Sequence, residues 1–347
     1  MIKKILTIVS AAVTVVVIIA GAYGYSIYNR MMTPNVLLEK GEHAIVHIAT
    51  GSSYGDVLNM LMEAQILNDT ASFKWTAQRM GYPHRIKPGR YRIEQGMSNR
   101  ALVGMLRAGL QAPTRVTFIA FRTPDQLAQR VSNQIEADSL EIIKAFDDEA
   151  LINSHGFTKQ TFKAMFVPNT YEFFWNTNAR GFFTRMRREY EAFWNARRDS
   201  LAEAAGLTRI EVITLASIVE EETRRNDEKA RVAGVYMNRI RLGMPLQADP
   251  TIKFALGDFS IRRVLTRHLQ VESPYNTYRH RGLPPGPICA PSIASIDAVL
   301  SYEKHNFLFF CAQPNFSGYH TFSKTLSEHN QKAREYHKWL NKQRIFR

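Results

Sequence analysis

The chain is poor in cysteine: only Cys289 and Cys311 occur in 347 residues. This excludes a disulfide-framework fold and a cysteine-rich zinc site. Whether the two pair is open at this level. Acidic residues are also scarce, with Asp+Glu 31 against Lys+Arg 45 and a net charge of +14. Such a balance suits a polyanionic partner: nucleic acid, an anionic membrane face or an acidic polymer. The sequence has no metal-ligand spacing, no glycine loop able to cradle phosphate and no nucleotide motif, so no cofactor and no metal are expected. It has no internal repeat, and no low-complexity tract after the first thirty residues. At 45% hydrophobic and 22% charged, a wholly disordered or collagen-like chain is excluded. The length suggests about two domains.

One long apolar run is present. No residue from Ile5 to Asn29 is charged, and a membrane-spanning helix needs about 20 such residues. Tyr23, Tyr25 and Tyr28 cluster at the far end, as interfacial aromatics do, and Lys3 and Lys4 hold the short N-terminus in the cytoplasm. Residues 1–30 therefore read as a cytoplasmic tip and a single-pass inner (plasma) membrane anchor, with everything after Arg30 extracytoplasmic or periplasmic. A cleaved signal peptide competes, because Ala20-Gly21-Ala22 fits a cleavage site. The apolar run, however, exceeds the usual length of about 7–15 residues. Both readings export the rest of the chain, which disfavours DNA and favours envelope polymers and anionic lipid heads.

The expected fold is α+β. Residues 31–42, polar with a proline, read as a stalk. Residues 43–112 read as a small α+β module. Ile45-Val-His-Ile48 alternates as a strand, and Gly51-Ser-Ser53 opens a helix with Tyr54, Val57, Leu58 and Leu61 on one face. A second helix lies near 71–80. Lys87-Pro-Gly-Arg turns into a strand, and a third helix from Asn99 is closed by Gly109. Residues 114–345 read as a larger, mainly helical α+β domain beginning with the β-rich Val116–Ala120. Phe166-Val-Pro-Asn-Thr-Tyr-Glu-Phe173 interrupts its helices, either as a core loop or as a wall facing substrate.

The most informative stretch is Leu207–Thr223. Thr208 and Glu211 form a capping box with Leu207 and Val212 at the staple positions. From Ile210 to Val219 nearly every side is apolar, so the helix is buried. It then meets Glu220, Glu221 and Glu222. The negative end of the helix dipole, two like charges and an apolar setting all push a carboxyl pKa upward. A carboxylic acid kept protonated near neutral pH can protonate a leaving oxygen. Solvated helix-end charges paired with Arg224, Arg225 or Arg231 are the plainer alternative. Glu220 projects on the face of Ile213, Ala216 and Ser217, where a ligand could approach.

The next helix reads as capped by Asn226 or Asp227 and closed by Gly243. The loops Met244-Pro-Leu-Gln-Ala-Asp-Pro-Thr251, Ser273-Pro-Tyr-Asn-Thr-Tyr278 and Gly282-Leu-Pro-Pro-Gly-Pro-Ile288 offer rings and amides suited to a sugar, or are turn punctuation. His320 follows an apparent strand, Phe307–Ala312, and a lone histidine there is more often structural.

Together ASIVEEET (216–223), VAGVYMNRIRLGMPLQADPT (232–251), SPYNTY (273–278), GLPPGPI (282–288) and HTF (320–322) resemble the endolytic murein transglycosylase (YceG-like) family. Their order and spacing carry the match. The resemblance implies an anchor, a LysM-like subdomain at 43–112 and a catalytic domain at 114–345. It implies a lyase that cleaves the MurNAc–GlcNAc bond within peptidoglycan strands and leaves 1,6-anhydro-MurNAc ends. Glu220 takes the catalytic acid/base position, and Gln247, Asp249, Tyr275, Asn276 and His320 fall on the motif positions of substrate contacts. Peptidoglycan strands and the membrane are the implied partners, with peptidoglycan synthases as candidates. Two departures bear on substrate fit: Asn169 stands where the family has an acidic residue, and Phe121-Arg122-Thr123 replaces a Glu-Gly pair.

Two rivals remain at this level. A hydrolytic muramidase would pair Glu220 with a second carboxylate about 5–5.5 or 6.5–9.5 Å away, and Asp249 is the one motif residue able to serve. A non-catalytic peptidoglycan-binding scaffold would use the LysM-like module and the basic surface. Nucleic-acid binding fails on export and on the lack of a matching motif.

Overall fold

The computed structural model describes residues 2–39 and 41–343. The chain forms two compact units. The first holds the chain up to Arg115, joined by residues 134–136 and 172–177, and the second holds the remainder.

The first unit opens with α1 (Ile2–Met32), which has no buried residue. At about 1.5 Å per residue its 31 residues reach about 46 Å, more than the hydrocarbon core of a bilayer. It is long and apolar enough to cross a membrane. There follow β1 (His43–Ile48), α2 (Tyr54–Glu63), α3 (Thr70–Arg79), β2 (Gly89–Glu94) and α4 (Asn99–Ala108), in the order the pattern predicts. β1 and β2 pair antiparallel with Val46 opposite Tyr91. Ser53 and Asp56 make a capping box on α2, and Gly109 closes α4 in the left-handed region at φ 74°. Ile48, Leu61, Phe73, Tyr82, Tyr91 and Leu102 form the centre of a buried cluster.

The stretch read as a stalk is tied into this unit. Val36 enters the core, and Pro34 and Val36 form isolated bridges to Ser98 and Leu67. The Asn35 amide donates to Asp69 O (2.9 Å) and Asn99 Oδ1 (2.7 Å), while Asn99 donates to Arg30 O (2.8 Å). Burying these amides is tolerable because each is bonded. Their effect is to hold the end of α1 against α3 and α4.

The second unit contains β3 (Thr114–Phe118), which begins at the boundary, then α5 (Pro124–Ser132), α6 (Ser139–Ala145), α7 (Glu149–Ser154) and β4 (Asn169–Phe173), whose last two residues belong to the first unit. It continues with α8 (Ala179–Phe193), α9 (Ala196–Ala205), α10 (Arg209–Glu222), α11 (Asn226–Arg241), α12 (Asp249–Leu256) and α13 (Ile293–Leu300). β5 (Phe309–Ala312), β6 (His320–Ser323) and α14 (Leu326–Lys342) complete it. The sheets are two-stranded: β1-β2, β3-β4 and β5-β6. The α+β class is as expected.

α10 is the central element. Val212 to Val219 are all buried, and α11, α12, α13 and α9 pack on it. The Thr208–Glu211 capping box is present, with both reciprocal bonds made. α11 differs from expectation: Arg225, not Asn226 or Asp227, occupies the N-cap and makes no side-chain cap. Asp227 instead accepts from Tyr319 Oη (2.9 Å). Cys289 and Cys311 are both unpaired.

Candidate active site

The three glutamates at the end of α10 meet three different environments. Glu220 Oε2 accepts from Ser292 Oγ (2.5 Å), Ser295 Oγ (2.5 Å), Lys229 Nζ (3.1 Å) and Ser292 N (3.3 Å). Oε1 receives none of these bonds. Ser292 is the N-cap of α13, so the carboxylate stands at the positive end of that helix dipole. Lys229, from the first turn of α11, is 5% exposed, and the Glu220 side chain keeps 19%.

This changes the expected electrostatics. Burial is the largest influence on Glu220 and pushes its pKa up, but the two serine hydroxyls and the Lys229 ammonium outweigh it. The carboxyl ends below its ordinary value, not above it as the helix-end argument predicts. The raised carboxyl is Glu222: burial pushes it up to about 7, against the hydrogen bond donated by Tyr236 Oη at 2.6 Å. Glu221 is held bidentate by Arg122 at 2.8 and 2.6 Å. The pairings with Arg224, Arg225 and Arg231 are not those formed. Arg225 donates to Ser317 O and Arg231 to Glu303, while Arg224 lines the cavity beside the glutamates.

The open side of Glu220 is also not the face predicted. Ile213, Ala216 and Ser217 are buried, and Ser217 Oγ accepts from Ile288 N at 3.0 Å. The 282–288 loop is thus structural there. A Cβ on Gly286 would lie 2.1 Å from Gln160 O, so only glycine fits.

Two clefts meet at the end of α10 instead. One, of about 340 Å³, is lined by Thr117–Ala120, Pro168–Thr170, Glu220 and Ser292. The other, of about 620 Å³, is lined by Ile119–Arg122, Glu220–Arg224, Lys253 and Phe259 among others. They share Ile119, Ala120 and Glu220. The interruption at 166–173 is divided: Phe166 and Tyr171 are core, while Pro168, Asn169 and Thr170 line the smaller cleft. A third cavity of about 360 Å³, sharing Glu222 with the second, contains Tyr236, Arg239, Gln247, Asp249 and Tyr278.

The remaining candidates fall in several places. Gln247 and Asp249 line the third cavity, away from the two that Glu220 lines. Asp249 Oδ1 accepts from Tyr278 Oη at 2.5 Å. Gln247 has a left-handed backbone, φ 53°, and its N–H donates to Thr277 O. Asn276 is 0% exposed. Its amide donates to Leu269 O and Val271 O and its carbonyl accepts from Tyr278 N, so it holds its own loop. The Tyr275 ring packs on Phe254 at 4.6 Å. His320 pairs through Nδ1 with the buried Glu228 carboxylate at 3.0 Å.

Lys229, Ser292 and Ser295 were not singled out from sequence. Signals existed: Lys229 precedes Val232 and Ala233 on the buried face of α11, where a lysine needs a partner. Pro291-Ser292 also opens a short apolar helix as an N-cap would. Neither signal says what the ammonium or the hydroxyls face. Among the described residues, no group of three or more metal-ligating side chains occurs.

Comparison with known proteins places the chain in a family. The model of the YceG-like family matches residues 46–335, and the chain belongs to that family. It is 26% identical over 92% of its length, and 91% of the relative's, to a Bacillus subtilis protein named endolytic murein transglycosylase. A Streptococcus pneumoniae protein of the same name is 25% identical over 88% of this chain, which spans 60% of that longer relative. The crystal structure of a YceG-like protein from Listeria monocytogenes superposes with a TM-score of 0.55 at 28% identity, covering 84% of this chain and 99% of that one.

Proposed function

We propose that the protein is an endolytic murein transglycosylase, a lyase acting within peptidoglycan strands, with Glu220 as its acid and base. The observation that carries this reading is the one-sided bonding of Glu220. Four donors converge on Oε2 and none of them on Oε1, in a residue that lines both clefts.

Oε1 gives its proton to the oxygen linking MurNAc to GlcNAc, and that bond opens through an oxocarbenium-like state. The resulting carboxylate is the form that the hydroxyls, Lys229 and the α13 dipole stabilise. It then takes the proton of the muramic C6 hydroxyl as O6 closes on C1. One C–O bond replaces another, no water is consumed, and the carboxyl regains its proton. Burial, the largest influence on this group, strengthens when sugar displaces water from the clefts, which favours the acid form needed for the first transfer.

A hydrolase needs a second carboxylate in the same space. Glu221 is committed to Arg122, Glu222 is bonded by Tyr236 Oη and pushed by burial toward its neutral form, and Asp249 lies in a cavity that Glu220 does not line. The geometry therefore supports one carboxyl acting twice. The similarly named relatives support the same reading. α1 holds the enzyme as a single-pass inner (plasma) membrane protein, N-terminus inside, where nascent strands emerge beside their synthases. The unit around residues 43–112 serves as a LysM-like module that holds glycan, and residues from 114 onward do the chemistry. Gln247 and Asp249 contact the strand from the third cavity, while Tyr275, Asn276 and His320 act by holding the loops that frame it.

The test is digestion of purified strands followed by mass analysis. Wild type yields anhydro ends, and Glu220→Gln lowers the rate by about a thousandfold or more. Reducing ends carrying added water would refute the lyase.

A further inference from the structure

Resting on that reading, we propose that the larger cleft recognises the carboxylates of the peptide stem carried by the muramic sugar. The two clefts that meet at Glu220 differ in charge. Among the described residues, Glu220 is the one charged side chain lining the smaller cleft. The larger adds Arg122, Arg130, Arg224 and Lys253, set against Glu221 and Glu222.

Most of these charges are already engaged. Arg122 neutralises Glu221, Arg130 donates to the carbonyls of Ile119 and Ala120, and Glu220 is answered by Lys229. Lys253 feels Glu222 but forms no ion pair with it. That leaves Arg224 and Lys253 on the cleft wall with no ion-pair partner among the described residues. Phe259, under the Arg122 guanidinium at 5.3 Å, adds an apolar face to the same cleft. An N-acetylglucosamine ring is neutral and has no use for two cations. The muramic sugar differs from it by a lactyl ether extended into a peptide, and there the substrate's carboxylates lie. A carboxylate shared between an arginine and a lysine forms charge-assisted bonds that neither cleft offers to a neutral sugar.

The test uses the full chain in detergent micelles on three strand preparations. The first bears stems with free carboxylates. The second is the same material with those carboxylates converted to amides. The third is stripped by an amidase so that only the lactyl carboxylate remains. Wild type is expected to show kcat/KM roughly tenfold higher on free than on amidated strands. The double variant Arg224→Ala, Lys253→Ala should reduce that ratio to about one, chiefly through KM, with its circular dichroism unchanged. An unchanged ratio in the variant would overturn the proposal. A KM rise as large on stripped strands as on stem-bearing ones would assign the cations to the lactyl group and overturn the stem. A wild type that yields anhydro ends from no preparation would overturn the underlying function instead. Co-sedimentation with the same three strands then decides the charge preference without turnover.

Discussion

Glu220 and Glu222 stand two residues apart at the same helix end, yet their carboxyls are tuned in opposite directions. Glu220 is pulled below its ordinary value and Glu222 is pushed up to about 7. Both share the negative end of α10, so that dipole cannot be what separates them. The difference lies in what each side chain faces. Glu220 meets the first residues of α13, two hydroxyls and a buried ammonium. Glu222 meets one phenol in a cavity that also holds Asp249. A carboxylate is stabilised by donors aimed at it, and short bonds from several donors outweigh both burial and a helix terminus.

Removing Lys229 gives the largest break in this contrast. Lys229→Met takes away the cation bonded to Glu220, so the Glu220 pKa rises. We expect kcat on the acid plateau of the pH–rate profile to fall about a hundredfold, because the carboxylate formed as the proton leaves has lost its cation, with KM little changed and the midpoint moved upward. Lys229→Arg should restore part of the rate. A profile that stays in place would remove the ammonium from the account.

Ser292→Ala with Ser295→Ala sharpens the same side more gently. Two bonds to the charged form are lost, so the pH–rate midpoint rises, while the rate on the acid plateau of the profile falls by about tenfold.

Glu222→Gln tests the other side and is the smallest effect. The folded-state pKa of Glu222 is raised, so its contribution to stability is full below about pH 4.5. That contribution is lost as pH rises through about 7. Glutamine can still accept from Tyr236 and carries no charge. The variant should therefore match wild type in acid and exceed it above pH 7 by on the order of 2 kcal/mol, read from thermal unfolding across pH. Glu220 has the opposite sign: its depressed value lends stability above the ordinary carboxylate range, lost as pH falls.

Local patterns in the chain were enough to specify the long apolar helix, the β–α–α–β–α order of the first unit, the Thr208 capping box, the Gly109 stop and the buried course of α10 ending in glutamates. Each depends on a few neighbouring residues: alternation, helical spacing, caps and an uncharged run. The same local reading assigned Glu220 a raised pKa and an open face over Ser217, and tertiary structure reversed both; the plainer alternative, pairing of the glutamates with Arg224, Arg225 or Arg231, is not formed either. Lys229, Ser292 and Ser295 come from 9, 72 and 75 residues along the chain. Periodicity carries no information about which distant helix end will face a carboxylate. The position of an acid was written locally. Its electrostatic tuning, and which of its oxygens receives the donors, were decided by the packing of α11 and α13 against α10.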